Sequence, residues 1–231
     1  SWYGCIMNYL ALVKRAISEA GASGVNNVTT VANASGELLR FTQWINQAWI
    51  DIQNKRSDWL FMRKSVQFNL IANQAEYPVT SAPISLTDYG SWIVESFRIY
   101  KDTISNELRL WYLDYIPFRD TYLLNTTRTS YSQPNVVTVS PSKSLIFALP
   151  PDYAYTVLGD YQRTATNLVA DTDIPDLPER FHMMLVYGAL KHYGAYESYP
   201  EKFTFAMEEY ARLNRQMEID QLPGLLRNGR F

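Results

Sequence analysis

Residues 35–68 read SGELLRFTQWINQAWIDIQNKRSDWLFMRKSVQF, and the fold turns on a change of period inside them. In the first half, Leu38, Phe41, Ile45, Ala48 and Ile52 recur at i, i+3, i+7, i+10 and i+14. That stripe predicts an amphipathic helix starting near Ser35. Trp44 and Trp49 flank the stripe and widen it, as expected of a helix packed on more than one side. Past about Met62 the apolar period falls to two. Val66, Phe68 and then Leu70 alternate with polar residues, the pattern of a half-buried strand.

Working outward from this switch, the upstream stretch MNYLALVKRAISEAG places Leu10, Val13 and Ile17 at helical spacing. Gly21 stands where a helix C-cap would. The fifteen residues that follow are rich in Gly, Ser, Asn and Thr and read as a loop. Downstream, WIVESFRIY and ELRLWYLDYI carry β-branched and aromatic residues and read as strands. NVVTVSPSKSLIFAL reads as a hairpin, with Val137 and Val139 on one arm, a turn at Pro141-Ser142-Lys143, and Leu145, Phe147 and Leu149 returning. YTVLGDYQRTAT reads as one more strand.

Helices then resume. Pro178 fits a first helical position, and Phe181, Leu185, Gly188, His192 and Ala195 share a face up to Tyr196. Pro200 opens a last helix with Phe203, Ala206, Tyr210, Leu213 and Met217 on one side. Glu201, Lys202, Glu208, Glu209, Arg212 and Arg215 occupy the rest. The expected fold is therefore α+β: an antiparallel helical core drawn from both chain ends, an inserted β-rich region, and an extended C-terminal tail. The expected boundaries are 7–61 and 167–222 for the helical core, 62–166 for the β-rich insertion and 223–231 for the tail.

Composition bounds the function. At 231 residues the chain buries roughly 70–75% of its unfolded surface. Aromatic content is high at 14%, with seventeen Tyr, ten Phe and six Trp, which suits β-rich surfaces and protein interfaces as well as cores. A formal net charge of −2 gives no whole-molecule attraction to nucleic acid or anionic membrane. Cys5 is alone, so neither an internal disulfide nor a cysteine zinc site is available. Lys14 and Arg15 interrupt any signal-peptide core, no apolar run approaches membrane length, and the chain reads as soluble. The sequons at Asn27, Asn33 and Asn125 read as chance matches in loops.

Few residues point to chemistry. DTDIPD (Asp171, Asp173, Asp176) begins like a calcium loop, but the required Gly and Glu positions hold Asp176 and His182. It reads instead as a loop leading into a helix, its carboxylates near the positive end of the dipole. His182 and His192 stand ten residues apart and point about 80° apart on a helix, so a shared metal is not expected. The bland reading is one partly exposed His and one on the packed face. No nucleophile elbow, Walker loop or zincin motif is present, and neither catalytic residues nor a cofactor is expected. Arg63, Lys64, Arg119 and Arg128 sit among aromatics, but interleaved Asp58, Asp114 and Asp120 weaken any nucleic-acid reading.

The stretches MNYLALVKRAISEAG, SGELLRFTQWINQAWIDIQNKRSDWLFMRKSVQF, LDYIPFRDTYL, VVTVSPSKSLIFALPP and GDYQRTATNLVADTDIPDLPERFHMMLVYGALKHYG together span nearly all of Met7 to Leu222. In that order they resemble the head-to-tail adaptor (neck or connector) proteins of tailed bacteriophages. The resemblance implies a helical core with a β-rich insertion. It implies a non-enzymatic virion protein at the neck, assembled in the host cytoplasm, forming a ring, twelvefold like the portal. The implied partners are the portal protein, a tail-side neck, nozzle or tail-tube protein, copies of itself, and genomic DNA passing transiently through the channel; no membrane is involved. The pattern starts at Met7, so residues 1–6 read as a leader or cloning remnant.

The resemblance also implies that the C-terminal segment docks on the portal. That segment is Pro223, Gly224, Leu225, Leu226, Arg227, Asn228, Gly229, Arg230 and Phe231. A solvated tail has little use for Leu225, Leu226 and Phe231, and the ten residues from Leu222 to Phe231 reach roughly 30 Å when extended. The expected inter-subunit contacts are Trp44, Trp49, Trp59, Trp92, Trp111 and Tyr115. Two rival readings are a glycan-binding β module of a phage tail or fibre, using exposed Trp and Tyr as stacking platforms, and a cryptic hydrolase.

Overall fold

In a computed structural model of the chain, the structure describes residues 6–23, 27–124, 130–222 and 224. Among them run five α-helices: α1 (Tyr9–Ala20), α2 (Gly36–Lys55), α3 (Tyr115–Phe118), α4 (Met183–Tyr196) and α5 (Pro200–Gln221). The strands are β1 (Arg63–Asn69), β2 (Glu76–Tyr77), β3 (Tyr89–Tyr100) and β4 (Leu108–Arg109), followed by β5 (Trp111–Tyr112), β6 (Val136–Val139), β7 (Leu145–Phe147) and β8 (Thr156–Arg163). The fold is α+β. The chain divides into two compact units, one made of Ser1–Met62 with Ala165–Phe231 and the other of Arg63–Thr164.

The helical unit is built around α4. Met184, Leu185, Val186, Gly188, Ala189, Leu190, Tyr193 and Gly194 are all buried, so this helix is covered on nearly every side. Two of its glycines set how near its neighbours lie. A Cβ at Gly188 would stand 2.5 Å from the Ala48 Cβ of α2, and one at Gly194 would stand 2.9 Å from the Phe203 nitrogen of α5. The α2 stripe behaves as its spacing predicts: Phe41, Ile45, Ala48 and Ile52 are buried, and Trp49 joins them. On α5, Ala206, Leu213 and Met217 are buried, but Phe203 stays 37% exposed, and Tyr210 is half-buried with the Lys191 ammonium 3.8 Å from its ring centroid. Ala195 is exposed, because α4 has passed the end of its packed segment there.

α1 is fastened at both ends by residues from the far end of the chain. The first N–H groups of a helix lack intrahelical partners. Here Tyr9 and Leu10 donate to the carbonyls of Asp173 and Asp171 (2.7 and 3.2 Å), and Ala11 donates to the Asn8 carboxamide (2.9 Å). At the other end Gly21 adopts φ 67°, and the Lys202 ammonium donates to the carbonyls of Glu19 and Ala20 at 2.9 and 2.6 Å. A cation on the last carbonyls of a helix also complements its dipole.

α2 holds the returning chain in an unusual way. The Asn46 side chain donates to the Leu168 carbonyl and accepts from the Leu168 amide (2.9 and 2.8 Å). Seven residues on, Gln53 does the same with Thr166 (2.9 and 3.1 Å). Two carboxamides thus pair with residues 166–168 much as a neighbouring strand would. At the buried Leu168 this satisfies backbone groups that water would not reach.

The second unit is a sandwich of two four-stranded sheets, ordered β1-β8-β3-β4 and β2-β7-β6-β5. The first is wholly antiparallel; in the second, β5 pairs parallel with β6. Phe68, Tyr77, Phe97, Val137, Leu145, Phe147, Val157 and Tyr161 fill the space between them. The predicted hairpin is present, with Val137 opposite Phe147 and Val139 opposite Leu145. Residues 108–112 serve both sheets. Leu108 and Arg109 pair with β3, buried Leu110 donates to the Phe97 carbonyl (3.1 Å), and Trp111 donates to the Asn135 carbonyl (2.9 Å) on the β6 side.

The strand expected to run on through Tyr115 and Ile116 is a helix instead. Asp114 precedes α3, and Arg119–Leu123 continues it as a wider π turn. Burial of Phe118 against Ile146 and Ala148, with Tyr122 at 5.0 Å between ring centroids, outweighs the strand preference of these aromatics.

The Gly188–Ala48 contact gives a direct test of the packing. Gly188→Ala should destabilise the protein by about 1–3 kcal/mol through overpacking. Ala48→Gly alone should also destabilise, by about 1 kcal/mol of helix propensity. The double variant should be more stable than the sum of the two losses predicts, as read from urea unfolding midpoints.

Candidate protein-interaction surfaces

The residues that looked closest to chemistry are occupied by structure. The Asp171 carboxylate accepts from the Val31 amide (2.7 Å), and Asp173 accepts from the amides of Val169 and Ala170 (2.7 and 2.8 Å). These backbone donors hold both carboxyls below the usual carboxylate range. The loop therefore supports the N-terminus of α1, rather than the following helix, through the carbonyls of Asp171 and Asp173, while its carboxylates hold the Val31 amide and the loop's own amides. Among the described residues no group of three or more His, Cys, Asp or Glu is placed to hold a metal ion.

The two histidines exchange their expected places. His182, not His192, is the buried one, at 1% exposure. It stands just before α4, with Nε2 2.9 Å from the Leu177 carbonyl and Nδ1 accepting from the Met7 amide at 3.2 Å. Those partners define a neutral ring that donates through Nε2. Burial pushes its pKa below 6.5 against the opposing pull of the Leu177 carbonyl and Glu179. His192 is half-buried, and burial followed by Lys191 lowers its pKa too.

His192 opens onto a groove of about 900 Å³ in the helical unit. Tyr9, Leu39, Gln43, Trp44 and Ile50 line it with His192. Trp44 is half-buried, its ring 5.3 Å from Phe41 and 5.9 Å from Tyr196. The other tryptophans expected at an interface divide sharply. Trp49 and Trp59 are 1% and 0% exposed, and the Trp59 indole donates to the Ile52 carbonyl (2.8 Å). Trp92 is buried in the sandwich and donates to the Lys143 carbonyl (3.1 Å). These three are core residues of their own subunit. Trp111 is 61% exposed and Tyr115 half-buried.

Around Trp111 the sandwich presents an apolar margin: Ile104, Leu108, Tyr112 and Ile116 are all exposed. The helical unit presents a second one. Tyr196, Tyr199, Phe203, Phe205 and Met207 are exposed about the α4–α5 corner. Phe205 and Met207 escaped the sequence reading because they lie off the apolar stripe of α5. Their signal was large apolar residues interrupting a polar helix face. Gly224 is exposed. Pro223, Leu225, Leu226, Arg227, Asn228, Gly229, Arg230 and Phe231 lie outside the described residues, as do Cys5, Asn125 and Arg128. No helix among the described residues is long and apolar enough to cross a membrane.

Large exposed apolar side chains clustered on each unit are the kind of surface through which proteins contact one another. The chain belongs to the SU10 adaptor protein family of phage head-to-tail adaptors, whose sequence profile matches residues 7–228. This is a family of structural phage proteins of the head–tail junction, associated with portal and tail proteins. No curated protein matches the chain in sequence.

The buried histidine makes stability depend on pH. With its folded pKa below 6.5, the unfolded chain binds more protons than the folded one between those two values. Stability should fall as pH drops through 6.5 toward the folded value, and be fully present above 6.5. His182→Gln should flatten that slope, and adding His192→Gln should remove what is left of it. Urea midpoints on either side of this window measure the effect. The lowered carboxyls of Asp171 and Asp173 act only in the more acidic carboxylate range.

Proposed function

We propose that this chain forms a ring beneath the portal, joins capsid to tail, and leaves an axial channel through which the genome is retained and later ejected. The observation that carries the reading is the family match along nearly the whole chain, 7–228. The two dissimilar apolar margins support it, because a closed cyclic ring needs two different patches per subunit, one for each neighbour. A formal net charge of −2 suits a conduit that must not grip the DNA passing through it. The ring is twelvefold in this reading, to match the portal, and a tail-side neck, nozzle or tail-tube protein binds its far face. Assembly takes place in the host cytoplasm.

Portal attachment falls to Pro223–Phe231. In this reading Pro223-Gly224 redirects the chain, Leu225, Leu226 and Phe231 enter apolar pockets of the portal, and Arg227 and Arg230 meet acidic groups. Deleting residues 223–231 should leave the melting temperature within a few degrees of wild type and abolish co-sedimentation with portal. Light scattering should show a portal–adaptor complex for the full chain and free portal for the truncated one. Unchanged attachment would sink the assignment of the tail. Saturable sugar binding on a glycan array would favour a carbohydrate-binding module instead.

A further inference from the structure

Two arrangements open to solvent, one on each unit, are opposite in charge, and each carries an exposed aromatic ring. The first crosses β3, β4 and β5. Arg98 and Arg109 stand directly opposite in the antiparallel register, so their side chains share a face. Like charges so placed repel. Among the described residues neither has a carboxylate within ion-pair distance. The Arg109 guanidinium lies 5.1 Å from the centroid of the Trp111 ring, which is 61% exposed. Two unanswered cations and a bare indole thus form one site.

The second runs along α5. Glu201, Phe205 and Glu208 fall at i, i+4 and i+7, in line on one helix face. They line a shallow groove of about 420 Å³ with Pro200 and Thr204. Phe205 is 50% exposed, and Tyr187 meets its ring edge-on at 5.9 Å, fixing its direction. Neither glutamate has an ion pair among the described residues. Here an exposed phenyl ring stands between two unanswered carboxylates.

Building on the ring reading above, we infer that these are the two halves of the contact between neighbouring copies. The Arg98–Arg109–Trp111 site of one copy receives the Glu201–Phe205–Glu208 face of the next. Each guanidinium meets a carboxylate through parallel hydrogen bonds, and the indole packs on the phenyl ring. The arginine pair then relieves its own repulsion only in the assembled state. A dimer that set either site on its own copy would oppose like charges; pairing the two unlike sites is the head-to-tail arrangement that closes a ring. A nucleic-acid occupant fits less well: Asp102 and Glu107 are exposed in the same loop, and the flanking Leu108 is 57% exposed and apolar.

Charge reversal in the full-length protein tests this, with portal present and ring formation read by light scattering. R98E/R109E and E201R/E208R should each weaken assembly on the order of 100-fold. Mixed in equal amounts they should assemble again, because every contact in an alternating ring pairs opposite charges. R109E alone guards against misfolding. It places Glu opposite Arg98, should melt no lower than wild type, and should still weaken assembly. Reversals that assemble like wild type, or blocked variants that the mixture does not rescue, would overturn the contact while leaving the ring intact. A wild-type protein that forms no ring with portal would remove the ring reading and this contact with it.

Discussion

Both ends of α1 are completed by residues that lie beyond the β unit in sequence. Its leading amides rest on the carbonyls of Asp171 and Asp173, and its trailing carbonyls on Lys202. A helix of this length is marginal in water by itself, and helix ends buried without partners are costly. α1 therefore has no finished form until the C-terminal helices arrive. The same holds for the loop after it, since the Val31 amide depends on Asp171. Everything between Arg63 and Thr164 is thus spanned by contacts of large sequence separation, which slows folding but ties the two chain ends into one core.

What the sequence made legible follows from the physics of each signal. The α2 stripe reads cleanly because burial of one face leaves a period, and Phe41, Ile45, Ala48 and Ile52 are buried. The hairpin at Val136–Phe147 reads for the same reason, at period two. α3 does not, because Tyr, Ile and Phe favour strands locally and only Phe118 burial makes the segment helical. α4 is buried on so many sides that the single face read for it, with His192 on it, misled: His192 is half-buried, while His182, just before the helix, is buried. The capping of α1 had no local signal at all. Its donors and acceptors are peptide groups, which every residue carries.

The interaction surfaces were harder still. Aromatic surplus suggests interfaces, but composition cannot distinguish an indole that fills a core from one that faces a partner. Trp49, Trp59 and Trp92 fill cores, while Trp111 on an edge strand is exposed. Interior tryptophans here find carbonyl acceptors for their N–H groups, as at Ile52 and Lys143, whereas Trp111 has an arginine on its ring instead. Charge was the clearer guide once register was known. No period links Arg98 and Arg109 to the α5 glutamates; it is the β3–β4 register that makes the two arginines one site.

The carboxamide pairing of Asn46 and Gln53 with residues 166–168 has a consequence for a particle that passes between media. Ion pairs such as Lys55–Glu218 weaken as salt rises, because mobile ions screen them. A carboxamide neither titrates nor attracts a counterion atmosphere. The point where the chain re-joins its helices after the β unit is therefore held by bonds indifferent to acidity and ionic strength. A head–tail junction protein carried from one medium to another keeps that fastening unchanged.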